Sequence, residues 1–273
     1  MKRVIILVLL VGVAAIAGMF RSHSSSLGHR LTAAVSDFQE SDAREEIRKT
    51  VELSPGANVE VSGINGAVTI ETSNSSTAEV YVERTAENRD ALTRRQVIVE
   101  ASPTSLKIRG EKHESGLISK VFGSNAKERV TLKLPRQISL TTRGVNGSVR
   151  VGDIDGTVNV HGINGKVEIG QAATAAEFNG INGNVSVSLR EVGKEGVKLS
   201  GINGNIELRL NDGVKADFEA HGMNGRVFSE IQDVVVENQR RGRYSAQVGG
   251  GGNPISAHGI NGNIRLTRLV SKS

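Results

Sequence analysis

The chain contains no cysteine and no tryptophan, and aromatic residues make up only 3% of its 273 positions. Without cysteine there is no disulfide framework and no thiolate metal centre. A lipoprotein anchor is excluded too, because it needs a cysteine directly after the export signal. Compact enzyme cores lean on aromatic side chains for bulk. A core built almost wholly of Val, Ile and Leu fits thin, repeated layers better. Proline is also scarce, at 4 residues. Nor does either charge dominate: 34 basic residues face 29 acidic ones, for a net charge of +5. The signs alternate along the chain ("EEIRK", "NIELRL"), which describes a solvated mixed surface. A dense basic stripe with interleaved aromatics, the footprint of nucleic-acid binding, is missing.

What is present begins with "MKRVIILVLLVGVAAIAGMF". Lys2 and Arg3 form a positive n-region, an apolar h-region follows, and Ala15-Ile16-Ala17 has the small-x-small form of a cleavage site. Residues 1–17 are therefore expected to be an export signal. Left uncleaved, the 17-residue apolar run 4–20 would be an anchor at the short end for a bilayer span. In both cases the remainder is exported, to the periplasm or the cell surface. Membrane contact is expected only through this segment. Without residues 1–17, 32 basic and 29 acidic residues remain, or +3. Residues 18–43, including "RSHSSSLGHR", read as a flexible linker.

From residue 44 the pattern has a period of two: "EIRKTVEL", "AEVYVER", "RQVIVEA", "SLKIRGE" and "RVTLKLP" all alternate apolar with polar. The one helical candidate is residues 87–96. Glycine is abundant, at 32 residues, and most of its order lies in one repeated motif, G-[I/V/M]-N-G. The first copy is Gly63-Ile64-Asn65-Gly66. Further copies are built on Gly144, Asn146 and Gly147; on Gly162, Asn164 and Gly165; and on Gly180, Asn182 and Gly183. The remaining three are built on Gly201, Asn203 and Gly204; on Gly222, Asn224 and Gly225; and on Gly259, Asn261 and Gly262. From Gly144 the spacings are 18, 18, 21, 21 and 37 residues. The last is about twice the unit, so one winding there is expected to lack the motif. A half-step copy, Asp153-Ile154-Asp155-Gly156, sets the basic unit at about nine residues. Apolar pairs such as Val167/Ile169 and Val185/Val187 follow the turns, with polar residues between them, so each strand has one buried and one wet face.

Asn-Gly is the strongest short hairpin signal. However, a strand such as "TVNVH" serves the turn before it and the turn after it. A meander gives no reason for identical turns. A coil that stacks each strand on the one 18–21 residues later does, because each Ile then sits on an Ile and each Asn on an Asn. The expected fold is therefore all-β: a β-solenoid, a single-stranded β-helix-like coil of two packed parallel sheets joined by the repeated Gly-Ile-Asn-Gly turns. Residues 44–136 read as its less regular N-terminal part and 137–273 as its regular repeats. About seven coils in the latter would span roughly 34 Å at 4.8 Å per coil. Charged residues near the C-terminus ("IRLTRLVSKS") would blunt one end, with 73–136 at the other end or as a flanking sheet.

The reiterated turns, the exported N-terminus and the opening "VELSPGANVEVSGINGAVTIE" resemble the bacterial adhesin-type domains, DUF4097 and the related head GIN domain. The resemblance covers residues 47–269, more weakly over 73–136. It implies a β-helix-like solenoid with Gly-rich turns and a role at the cell surface, and it brings no catalytic residues.

Chemistry is hard to find in the residues themselves. His161, His221 and His258 each precede a motif, but other residues intervene, with His221 and His258 expected about two rungs apart, so no metal site is assigned. Glu168 and Glu207 occupy equivalent outward positions about 10 Å apart, at the wide limit for inverting glycoside hydrolysis. The "GGGGNP" run at 249–254 lacks the Lys-Ser/Thr of a phosphate loop and reads as a loop between coils. Asp153 and Asp155 lack the further ligands of a calcium loop. No cofactor, metal or catalytic residue is expected. The leading expectation is a non-enzymatic envelope protein, an adhesin or scaffold for an extended polysaccharide or a surface protein. Its candidate binding face is Arg150, Lys166, Asn184, Asn205, Arg226 and Arg265. The competing expectations are a polysaccharide-active β-helix enzyme and a self-assembling structural element.

Overall fold

The structure, a computed structural model, describes residues 43–112, 126–232, 234–240 and 242–269. The expected export signal and all of the expected linker but residue 43 lie outside the described residues. A compact unit comprises Asp42–Ser273.

Alternating sequence becomes alternating burial throughout this unit. The N-terminal part holds β1 (Ala43–Glu52), β2 (Ala57–Ser62), β3 (Gly66–Ser73) and β4 (Thr77–Ala86). After these come helix α1 (Arg89–Thr93), β5 (Arg95–Ser102), β6 (Ser105–Lys112) and β7 (Lys127–Pro135). The repeats supply β8 (Ile138–Val145), β9 (Val149–Ile154), β10 (Val158–Ile163), β11 (Val167–Ala172), β12 (Ala176–Asn182), β13 (Val185–Leu189), β14 (Val197–Asn203) and β15 (Ile206–Leu210). The C-terminal part holds β16 (Ala216–His221), β17 (Val227–Ser229), β18 (Glu237–Arg240), β19 (Arg243–Val248), β20 (Asn253–His258) and β21 (Ile264–Arg268). The helix is shorter than the candidate 87–96. It is capped at Asn88, whose side chain accepts from the Ala91 amide.

Two sheets form. One runs β1-β4-β7-β3-β9-β11-β13-β15-β21-β17, the other β18-β19-β16-β20-β14-β12-β10-β8-β2-β6-β5. In the repeats every neighbouring pair is parallel, with Val149 beside Val167, Val167 beside Val185 and Val185 beside Ile206, and the register of β11 on β13 shifts between Ile169 and Ala172. The protein is thus a β-solenoid, and one continuous apolar cluster lies between its sheets. Bulk is balanced along that cluster. Buried Phe178 sits two residues from Ala176, and buried Phe218 two residues from Ala220. Each fully buried Val, Ile or Leu in such columns contributes about 1.5–3 kcal/mol of transfer free energy.

The coil order differs from the sequence order at both ends. The pair β16/β17 does not stack on β14/β15. The last pair, β20/β21, lies between them: β20 pairs with both β14 and β16, and β21 with both β15 and β17. The 37-residue interval is therefore not a winding without the motif. It holds β18 and β19, an antiparallel pair that covers the outer edge of β16 before the chain returns to fill the open slot. Consequently "IRLTRLVSKS" contributes an interior strand rather than an end, and 138–268 makes six windings. The N-terminal end repeats the arrangement. β6/β7 stack on β2/β3, antiparallel β4 and β1 extend past β7, and antiparallel β5 covers β6.

Candidate functional site

One long edge of the stack is made by the repeated turns, and each of the four motif positions has its own physical reason. The first glycine takes a left-handed conformation, with φ between +58° and +67° in all seven copies, and no close neighbour except at Gly63, where a Cβ would lie 2.5 Å from the Gly110 carbonyl oxygen. The second residue turns inward: Ile64, Val145, Ile163, Ile181, Ile202 and Ile260 are each 1% exposed, and Met223 is 8% exposed. The Asn faces out. The last glycine is fixed by close approach, since a Cβ on Gly183 would lie 2.2 Å from the Gly165 carbonyl oxygen.

The asparagines form a single ladder. Asn146 donates its side-chain amide to Asn65 at 2.9 Å, Asn164 to Asn146 at 3.0 Å, Asn182 to Asn164 at 3.1 Å and Asn203 to Asn182 at 3.1 Å. Asn261 then donates to Asn203 at 2.9 Å, and Asn224 to Asn261 at 3.0 Å. A shorter ladder runs beside it: the Asn184, Asn205 and Asn263 side-chain oxygens accept the backbone amides of Asn205, Asn263 and Arg226.

The first rung of the long ladder needs another device, because the β6–β7 winding has no motif. Asn65 donates its side chain to the Ala126 carbonyl at 2.8 Å and its backbone amide to Glu128 Oε2 at 2.8 Å. The fully buried Glu128 carboxylate also takes Arg95 Nε at 2.7 Å, and Arg95 reaches the Gly63 carbonyl. This plug was not recognised from sequence. Arg95 and Glu128 lie 33 residues apart in two alternating strands, and neither carries a motif.

The residues flanking the seven turns sit on adjacent strands and form two rows. In stack order, one row is Ser62, Arg143, His161, Asn179, Ser200, His258 and His221, and the other is Ala67, Ser148, Lys166, Asn184, Asn205, Asn263 and Arg226. Neither row contains a carboxylate. The opposite connections are of mixed sign, with Asp155, Glu191, Glu195 and Asp212 beside Arg136, Arg190, Lys194 and Lys215. At the N-terminal end of the edge, Lys107, Arg109 and Arg143, with Ser62 and Glu60, line an open hollow of about 460 Å³.

Within the face expected from sequence, Lys166, Asn184, Asn205 and Arg226 belong to the second row. Arg150 and Arg265 lie two residues further along their strands. Arg150 and Lys166 both bind Glu168. Hydrogen bonds from Lys166 and Arg150 hold the Glu168 carboxyl below the usual carboxylate range against its partial burial. Arg265 pairs with Glu230 at 3.4 Å. Glu207 accepts from the Ser186 hydroxyl at 2.9 Å. Glu168, Ser186 and Glu207 are successive rungs of a flat sheet face, and both carboxylates are engaged by neighbours. His221 and His258 are direct register partners rather than two rungs apart, because β20 lies next to β16. Arg243 Nε donates to His221 Nδ1 at 3.0 Å, and the Glu219 carboxylate lies 3.4 Å from His221 Nε2. Among the described residues no three His, Asp or Glu side chains converge as metal ligands. No described helix is long and apolar enough to cross a membrane.

No family model and no curated protein matches the chain. Solved structures similar to it include a "putative cell adhesion protein" from Clostridium sporogenes, at 13% identity and a TM-score of 0.39, covering 83% of this chain and 100% of that one. A "putative adhesin" from Bacteroides fragilis is 7% identical with a TM-score of 0.31, covering 81% of this chain and 97% of its own. A "Putative lipid binding protein" from Parabacteroides distasonis is 13% identical with a TM-score of 0.23, covering 82% and 95%. These likenesses are too distant to carry a function across.

Proposed function

We propose that this chain is an exported, non-enzymatic binding module of the cell envelope that holds an extended acidic polysaccharide along its turn edge. The observation that carries this reading is the stacking of seven motif copies into one column whose flanking rows hold Arg143, Lys166, Arg226, three histidines and several Asn and Ser residues but no carboxylate of their own, Arg143 and Lys166 pairing with Glu60 and Glu168 beside the rows. Strand spacing repeats these groups every ~4.8 Å. A linear chain of hydroxyls and carboxylates can meet such a row at several points, and several weak contacts on one chain multiply into useful affinity. Neither flanking row contains an aromatic residue, which disfavours single-stranded nucleic acid as the polymer. The attraction is largely between exposed charges, so it weakens as salt shortens the Debye length from ~10 Å at 0.1 M to ~3 Å at 1 M.

The test is binding of the purified chain to an array of acidic and neutral polysaccharides, compared with a variant carrying Arg143→Glu, Lys166→Glu and Arg226→Glu. Retention on acidic glycans only, reduced at least tenfold in the variant and by raised salt, supports the reading. Equal binding by both proteins, or no binding to any acidic glycan, contradicts it.

A further inference from the structure

The two sheets have four edges, two of them short and two long. β17 has 3 residues and β18 has 4, lengths typical of a protected edge. At the other end, β5 has 8 residues and β1 has 10. β1, the longest edge strand, pairs only with β4 among the described strands, and no described strand lies along its outer edge. Its sequence is AREEIRKTVE, with Arg44, Glu46, Arg48, Thr50 and Glu52 on the outer face and Glu45, Ile47, Lys49 and Val51 on the inner one.

We propose that β1 pairs with β1 of a second copy of this chain, antiparallel, about a two-fold axis at Ile47. The register follows from charge. Centred on Ile47, Glu46 stands opposite Arg48 of the second copy and Arg48 opposite its Glu46. Glu45 likewise stands opposite Lys49, and Lys49 opposite Glu45. Ile47 meets Ile47, Ala43 meets Val51, and Arg44 meets Thr50. The neighbouring registers that keep both cores on the same side fail. Centring on Lys49 sets Lys49 against Lys49 and Glu46 against Glu52. Centring on Glu45, Glu46 or Arg48 sets that residue against itself. Like charges directly opposite destabilise a sheet, whereas opposite charges and β-branched pairs each add about 0.2–1 kcal/mol. Charged residues on an edge ordinarily repel an incoming strand. Here one incoming strand, the chain's own, offers the opposite sign at four of those positions.

Glu45 is held by Arg84 and Lys49 Nζ donates to the Val99 carbonyl at 3.3 Å, so the charge match rests chiefly on the outward Glu46 and Arg48, which already meet within one chain at 3.1 Å. Ile47 is packed against the core but still half-buried, and its counterpart would cover it. The result is an isologous dimer with one sheet continuous through both copies. This inference does not depend on the polysaccharide reading, since β1 lies at the end of the stack and not on the turn edge.

The chain has no cysteine, so a single introduced one reports the register cleanly. Opposed residues in an antiparallel pair have Cα atoms about 4.5–5.5 Å apart, within the reach of a disulfide. In full-length Ile47→Cys, mild oxidation is expected to give a disulfide-linked dimer on a denaturing gel. Val51→Cys, on the same face and equally half-buried, is expected to stay monomeric, because its two copies would lie about 26 Å apart. A second test measures mass in solution: Arg48→Glu should abolish the dimer and Glu46→Arg with Arg48→Glu should restore it. Failure of Ile47→Cys to link, equal linking at Val51→Cys, or no rescue by the double swap overturns the proposal.

Discussion

At the residue scale, the motif shows how one short word can carry four separate demands. Both glycines are required, but for different reasons, and the difference is measurable. Gly180 has φ +64° with its nearest neighbour atom 3.7 Å from a built Cβ, so Gly180→Ala suffers only the left-handed backbone cost of about 1–2 kcal/mol. Gly183 has a carbonyl oxygen 2.2 Å from the built Cβ, and backbone atoms on both rungs would have to part. Gly183→Ala is expected to cost more than about 4 kcal/mol, beyond the range of ordinary substitutions. Chemical denaturation of the two variants checks this order, and equal losses would contradict the close-approach account. The glycines, the inward Ile and the Asn ladder were all legible in the sequence, because each repeats at fixed offsets. The engagement of Arg150 and Lys166 by Glu168 was not, because it depends on which polar side chains share neighbouring rungs. Those choices vary from winding to winding, while the apolar face does not.

At the scale of elements, the strands were readable from period two and the turns from glycine, yet the partners of the end strands were not. A spacing of 37 residues fits a winding without a motif as well as an excursion that leaves and returns. Only the hydrogen-bonding order, with β20 beside both β14 and β16, separates them. The same ambiguity hid the neighbouring positions of His221 and His258. The Arg95–Glu128 plug is the element-scale feature with the largest expected energetic effect. It satisfies the first rung of the ladder with a carboxylate that has no solvent exposure. Removing one partner of a buried pair strands the other, so Glu128→Ala is expected to cost about 3–5 kcal/mol. Hydrogen exchange provides the local readout. The Asn65 amide, which donates to Glu128, should lose protection before the Asn182 rung does. Uniform loss of protection along the ladder would show that Glu128 supports the core in general and does not close its end.

At the scale of the whole described unit, the two ends share one strategy. Each chain excursion builds an antiparallel cap and then returns to fill an interior slot, and at the N-terminal end the first described strand, β1, completes the cap. Nearest-neighbour stacking supplies the stability of such arrays, and caps protect their ends. The same stacking turns a repeated word into a continuous edge, and on that edge the binding reading rests. Its most direct test is a nuclear Overhauser map of the backbone amides across the turns. The stacking account predicts contacts from Asn261 to Ile202 and from Asn224 to Ile260, following the hydrogen bonds Asn261 N–H to Ile202 O and Asn224 N–H to Ile260 O, each at 2.8 Å. It predicts none between Asn224 and Ile202. A direct Asn224–Ile202 contact would put the windings in sequence order, and turns contacting only their own chain neighbours would remove the column altogether.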